Sequence, residues 1–351
     1  MNADEIPKRR PRLRTAEGGR RLHSAGSAIV VSLAGLVIAL FLNAPGLHKS
    51  ATTQPGGWKR NTALAVTGPL EGVSGALLLD RPRRALKAVL GRSNDDAIDT
   101  AVVVAPEPEA PVVDETPTAP PKREKFSPER KLRIWIAGDS LVVVPGESLL
   151  RATAGNRAIA PAGQIDGRIA TGLERPDVFN WFTHVRDEMR TKKPGAVVLM
   201  FGGNDDHDFM TGLPEGTQIG SFGSANWQAE YRRRVAGIMN TINRAGAAVI
   251  WIGLPITRDA AQTQRFDTIN AIVQSEASKR PGRAAYLDTY FFFAGDDGGF
   301  SAYIADDTGK LVKMRADDGV HFERPAGDLI AEKVLERLGE RYDLESWRKS
   351  G

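Results

Sequence analysis

The hydrophobic pattern of the chain changes character near residue 127. Beyond it, short apolar runs at 132–137, 196–201, 247–252 and 284–287, with a weaker one near 157–160, alternate with longer stretches at 177–192, 226–244, 260–280 and 326–341. The short runs have strand length and end in turn residues, whereas the longer ones carry apolar side chains at helical spacing. In 226–244, Trp227, Tyr231, Val235, Ile238 and Ile242 share one face, and Gly246 supplies a stop. Strand followed by helix, repeated, predicts a parallel sheet with helices on both faces. Residues 300–316 differ. Tyr303-Ile304, the turn residues Asp306-Asp307-Thr308-Gly309 and then Leu311–Met314 predict an inserted hairpin.

Ahead of this region lies an uncharged stretch from Ser24 to Pro45, almost wholly aliphatic over 29–42. About twenty such residues suffice to cross a bilayer as a helix. Lys8, Arg9, Arg10, Arg12, Arg14, Arg20 and Arg21 precede it, which by the positive-inside rule puts the N-terminus in the cytoplasm. An uncleaved anchor is the expectation, since Leu42-Asn43-Ala44 is a poor small-x-small cleavage site; a cleaved signal peptide is the rival. Residues 46–60 read as loop. The basic stretch 81–90 predicts a short amphipathic helix with Pro82 in its first turn, suited to lie on an anionic membrane or to pack on the main domain. Six prolines within 105–122 predict a semi-rigid extended spacer. The expected order is a basic tail over 1–24, an anchor over 25–45, a linker over 46–127 and a catalytic domain over 128–345.

Charge changes the picture only by its location. The formal net charge is +4, and residues 1–24 alone carry a net +4, so the remainder is formally neutral. No basic groove for nucleic acid is expected on the main domain. The chain has no cysteine, which excludes disulfides, cysteine nucleophiles and cysteine metal sites.

The candidate chemistry lies at the ends of predicted strands, where open α/β sheets build their sites. Gly138-Asp139-Ser140-Leu141 follows the first run and offers Ser140 as a nucleophile at a strand-to-helix turn. Gly202-Gly203-Asn204-Asp205 follows the second, where the Asn204 amide can donate to a developing oxyanion. Asp318-Gly319-Val320-His321 precedes the last helix. Its spacing lets the Asp318 carboxylate reach Nδ1 of His321 and leaves Nε2 to take the serine proton. Of the other four histidines, His184 falls mid-helix and reads as packed or exposed. Asp205-Asp206-His207-Asp208 is adjacent along a loop and does not read as a metal site. Trp181, Trp227 and Tyr231 read as packing rather than as platforms for sugar rings.

On these three motifs, residues 128–345 resemble the SGNH superfamily, also called GDSL hydrolases. The resemblance implies a three-layer α/β/α sandwich with a parallel sheet of about five strands. It implies Ser140, Asp318 and His321 as catalytic residues, no metal and no cofactor. It also implies an oxyanion hole formed by the Ser140 N–H, the Asn204 side chain and a glycine N–H. Gly172 is the choice for that glycine, with Gly163 and Gly167 as alternatives. The expected activity is a serine esterase acting through an acyl-serine, removing O-acetyl or other O-acyl groups from an envelope or extracellular carbohydrate. One alternative is an O-acetyltransferase served by a membrane acyl-donor protein; another is an inactive polysaccharide-binding or scaffold protein. The expected location is the inner (cytoplasmic) membrane, single-pass, with the catalytic domain periplasmic.

Overall fold

The computed structural model describes residues 25–52, 57–89, 98, 123–214, 217 and 219–344. The basic tail over 1–24 and the proline-rich spacer over 105–122 lie outside the described residues.

The N-terminal part is helical: α1 (Ala25–Leu42), α2 (Ala44–Thr52), α3 (Trp58–Ala76) and α4 (Arg81–Val89). Two expectations change here. The uncharged stretch is not one helix over 25–45, because α1 stops at Leu42 and the next helix leaves at 64°. Among the described residues no single helix is long and apolar enough to cross a membrane, although Gly26–Leu42 and Ala44–Thr52 together meet that test as a bent pair. The expected loop over 46–60 is largely helix. Pro45 falls in the first turn of α2, where a missing N–H costs nothing, and Ser50 and Thr52 return their hydroxyls to the carbonyls of Gly46 and Lys49.

The remaining elements are β1 (Glu124–Lys125), β2 (Leu132–Gly138), α5 (Val143–Thr153), β3 (Ile159–Pro161), β4 (Asp166–Gly167), α6 (Trp181–Lys192), β5 (Ala196–Met200), α7 (Ala225–Arg244), β6 (Ala248–Ile252), α8 (Ala260–Ser278), β7 (Ala284–Leu287), the antiparallel hairpin β8 (Tyr303–Ala305) and β9 (Leu311–Lys313), α9 (Arg324–Arg341) and β10 (Tyr342–Asp343). The main sheet is parallel, in the order β3-β2-β5-β6-β7, with β4 also pairing to the end of β2. Helix α5 packs on α9, and α6, α7 and α8 pack in a row; the right-handed crossovers usual for such parallel units place these two groups on opposite faces of the sheet. The fold is therefore an α/β one with a mostly parallel sheet between helices. Strands β5 and β6 are buried at every position, as their unbroken apolar sequences require when both faces are covered.

Helix α5 carries Pro145-Gly146 and gives no clean helical signal, yet the site depends on it. Pro145 is accommodated in the first turn. A Cβ on Gly146 would come within 3.1–3.2 Å of Ile136 and Ile165, so the glycine lets the helix approach the sheet closely.

Candidate active site

The strand order reverses between β2 and β5, and their carboxyl ends open a crevice at that switch point. Ser140 leaves β2 on one side of the crevice, and Gly202–Asp205 leaves β5 on the other. Gly138 ends β2 against the neighbouring strand, where a Cβ would lie 2.0 Å from the Met200 carbonyl oxygen. Only a glycine allows that approach. The next residue, Asp139, is fully buried and stitches the two loops together. One carboxylate oxygen accepts from Leu141 N–H at 2.9 Å and caps the single 3₁₀ turn Ser140–Val142; the other accepts from Gly202 N–H at 3.1 Å and Gly203 N–H at 2.8 Å. Burial pushes its carboxyl up to about 7, while the three N–H donors pull against that rise.

His321 comes from the turn before α9. Its Nε2 lies 2.8 Å from Ser140 Oγ, and its Nδ1 lies 2.7 Å from Asp318 Oδ2. The other Asp318 oxygen accepts from the N–H groups of Val320 and His321 at 2.8 and 2.9 Å. Burial pushes Asp318 upward, but those donors and the imidazole outweigh it and hold the carboxyl down at about 2. The side chains of His321 and Asp318 are 41% and 51% exposed, so this half of the site opens to solvent.

On the opposite side, Asn204 donates its amide to the Thr171 carbonyl at 3.1 Å. Asp205 is fully buried and accepts from Leu173 N–H at 2.8 Å, Glu174 N–H at 2.9 Å and the Tyr231 hydroxyl at 2.9 Å. Gly172 sits against this carboxylate so tightly that a Cβ would fall 2.0 Å from Asp205 Oδ1. Of the other two candidate glycines, Gly167 pairs with Gly138 at the end of β2. Gly163 lies against the Lys192 side chain. The structure thus brings Gly172 to the Asn204 loop, Gly167 to the nucleophile strand, and Gly163 to neither.

Three aromatic donors hold the 171–174 segment and its partner Asp205. Trp181 Nε1 donates to Thr171 Oγ1, Trp227 Nε1 to Glu174 Oε1 and the Tyr231 hydroxyl to Asp205. All three rings are fully buried, so none is a sugar platform. Arg234, also fully buried, donates to the carbonyls of Leu173, Glu174 and Thr211. Burial pushes Glu174 up to about 8, opposed by its hydrogen bond with His207, whose pKa is raised by the same contact. The run Asp205–Asp208 diverges: Asp205 turns inward, Asp206 pairs with Arg265, His207 meets Glu174, and Asp208 accepts from Phe222 N–H. Among the described residues, no group of three or more His, Asp or Glu is placed to hold a metal ion.

Sequence reasoning quoted Asp139 and Asp205 inside the motifs but gave them no task, and it missed Glu174 and Arg234. A carboxylate directly beside a glycine-rich turn after an apolar strand is a usable signal for the first pair, since it must find N–H partners where it is buried. Nothing local marks the second pair.

Fold and site together define an SGNH-like α/β protein, with Ser, Asp and His in that chain order at the carboxyl edge of a parallel sheet. The chain belongs to the family described as "Protein of unknown function (DUF459)", an SGNH-like family, whose model matches residues 133–337. Solved structures similar to it include a GDSL-like lipase from Bacteroides thetaiotaomicron, at 13% identity over 64% of this chain and 92% of that one, with a TM-score of 0.40. Another is a catalytic mutant of an acetylxylan esterase from Geobacillus stearothermophilus, at 16% identity over 62% of this chain and 97% of that one, with a TM-score of 0.41. None of the curated proteins compared with the chain matches it.

Proposed function

We propose that the protein is a serine esterase. The observation that carries this reading is the unbroken relay from Ser140 Oγ through both nitrogens of His321 to Asp318, at 2.8 and 2.7 Å. In this reading Ser140 attacks the ester carbonyl while Nε2 of His321 takes its proton. Asp318 holds the imidazole's orientation and balances the imidazolium charge. The tetrahedral oxyanion is met by the N–H groups of Ser140 and Gly172 and by the Asn204 amide, which turns from the Thr171 carbonyl to the charge as it forms. The imidazolium returns its proton to the leaving alcohol, and a water deprotonated by His321 then releases the acid from the acyl-serine.

The substrate we propose is an O-acetylated carbohydrate of the cell envelope, with the protein tethered to the membrane through the bent pair α1 and α2. Solvent-open His321 and Asp318 suit a bulky, hydrophilic acceptor. The exposed apolar side chains of α1, Ile29, Val30, Val31, Leu33 and Leu36 among them, suit lipid better than water. The uncharged composition and the basic residues preceding it agree with a cytoplasmic N-terminus and an outward catalytic domain.

The test is hydrolysis of p-nitrophenyl acetate, and acetate release from acetylated envelope polysaccharide, by the full chain in detergent beside Ser140→Ala and His321→Ala. Turnover lost in both variants, with circular dichroism unchanged, is the expected result. Acetyl groups moving to an added acceptor sugar faster than acetate is freed would convert the reading to an O-acetyltransferase. No turnover and no fluorophosphonate labelling of Ser140 would overturn it in favour of a binding or scaffold role.

A further inference from the structure

The His321 turn rests on a residue that no motif announces. Arg315 follows the inserted hairpin and is fully buried. Its Nη2 donates to the carbonyl oxygens of Val320 at 2.6 Å and Gly319 at 3.4 Å, its Nε to that of His321 at 3.3 Å, and its Nη1 to that of Ile256. The rings of Phe293, Phe300 and Phe322 lie 5.2–5.6 Å from the guanidinium carbon. Burying a cation is costly unless it is well hydrogen-bonded, and here the acceptors are neutral main-chain carbonyls, whose orientation the guanidinium thereby fixes.

The orientation does matter, because two of those carbonyls share peptide units with the N–H groups that hold Asp318. Gly319 C=O and Val320 N–H belong to one peptide plane; Val320 C=O and His321 N–H belong to the next. In both planes the carbonyl faces Arg315 and the N–H faces Asp318 Oδ1. We infer that Arg315 is a positioning residue for the base. Its guanidinium and the Asp318 carboxylate clamp the same two peptide planes from opposite sides, and so fix the His321 imidazole against Ser140. The clamp is polarised as well as rigid, since a cation on the oxygens and an anion on the N–H groups reinforce each other through each amide. The backbone closes the same turn. Ala316 N–H donates to the His321 carbonyl, and Glu323 N–H to that of Met314. Burial draws Arg315 down to about 10, which leaves it charged at neutral pH. The segment that carries the hairpin therefore reaches the chemistry through the Arg315 side chain as well as through its own backbone.

This inference rests on the esterase reading for its kinetic consequence but not for its structural one, and the test separates them. The full chain is prepared as wild type, Arg315→Lys, Arg315→Met, Asp318→Asn and the Arg315→Lys/Asp318→Asn double variant. Arg315→Lys keeps the charge and the stem but cannot satisfy the diverging carbonyls, so it carries the test if Arg315→Met fails to fold. The expected result is a fall in kcat on the order of 10²-fold for Arg315→Lys, with KM unchanged, as for a misplaced catalytic group. The double variant should be no slower than Asp318→Asn, because Arg315 acts through the Asp318–His321 contact that Asp318→Asn has already broken. A low-field proton resonance from the Nδ1–H···Asp318 bond, present in wild type and lost in Arg315→Lys, is the readout that needs no turnover. Unchanged kcat with a lowered melting temperature, multiplicative losses in the double variant, or a retained low-field proton would each overturn the inference. A wild type without turnover whose low-field proton is lost in Arg315→Lys would overturn the esterase reading and leave the clamp standing.

Discussion

The two halves of the site are built on opposite principles. On the nucleophile and oxyanion side, the loops after β2 and β5 are held by carboxylates with no exposure at all: Asp139, which accepts from its own turn and from the Gly202–Gly203 loop, and Asp205, which accepts from the 173–174 segment and the Tyr231 hydroxyl. On the base side, the carboxylate that matters is half exposed, and the buried charge beneath it is a cation, Arg315. The first half is an extension of the core; the second is a surface turn pinned from below. Losing a buried carboxylate on the first side should therefore reach folding and chemistry together, whereas losing the exposed carboxylate on the second should reach chemistry alone.

The largest expected effect lies where the halves meet. Ser140→Ala or His321→Ala should lower kcat by about 10⁶-fold, with little change in the urea midpoint, as read by ester hydrolysis and equilibrium unfolding. Asp318→Asn should cost about 10⁴-fold in kcat, again with near-native stability. Asn204→Ala, which removes one oxyanion donor, should cost about 10²–10³-fold in kcat. The contrast is sharpest at Asp139→Ala. That variant strands three N–H groups in the interior and should lose roughly 3 kcal/mol or more of unfolding free energy along with its activity. A stable but inactive Asp139→Ala protein would break the comparison.

Acidity gives the smallest and most discriminating effect. Glu174 binds a proton more tightly folded, at about 8, than at its ordinary 4.5, so the native state holds the extra proton between those values. Stability from this group is therefore greatest at low pH and falls as pH rises from about 4.5 towards 8. His207 acts in the same direction and shares the same contact, so the pair counts once. Glu174→Gln, already neutral, should flatten the decline of melting temperature over that range. Asp318 runs the other way. Its carboxyl is held at about 2 against an ordinary 3.8, so its contribution is present above pH 4 and disappears only on acidification through 2. A melting curve with equal slopes in wild type and Glu174→Gln would remove the buried side from the pH response.

How much of this was legible beforehand follows from what each residue needs. Strands β5 and β6 announce themselves because a parallel strand buried on both faces must be apolar throughout, β2 and β7 because their short, mainly apolar runs end in turn residues, and the inserted hairpin because its turn needs Asp-Thr-Gly. Helix α5 is hidden by Pro145-Gly146, whose purpose appears only when Ile136 and Ile165 are seen against it. Helix α2 is hidden because proline and glycine in a first turn look the same as in a loop. Ser140, Asn204, Asp318 and His321 can be proposed from chemistry and chain order. The glycine cannot, since Gly163, Gly167 and Gly172 differ only in what folds against them. Asp205 against Gly172 is a contact across 33 positions that no local pattern encodes. Arg315 is the extreme case: its partners are main-chain carbonyls, which every residue possesses.

The short pairing of β1 with β10 carries a practical consequence. It gathers residues 124–125 and 342–343 at one place, beside the Gly195 carbonyl that accepts from Tyr342 at the start of β5. The crevice opens at the other end of that strand, roughly 16 Å away at about 3.3 Å per residue. Both ends of the domain therefore leave from the face turned away from Ser140. Coupling it to a bead, a surface or a fusion partner through either end leaves the mouth free, and a leash on residue 123 aims the serine outward.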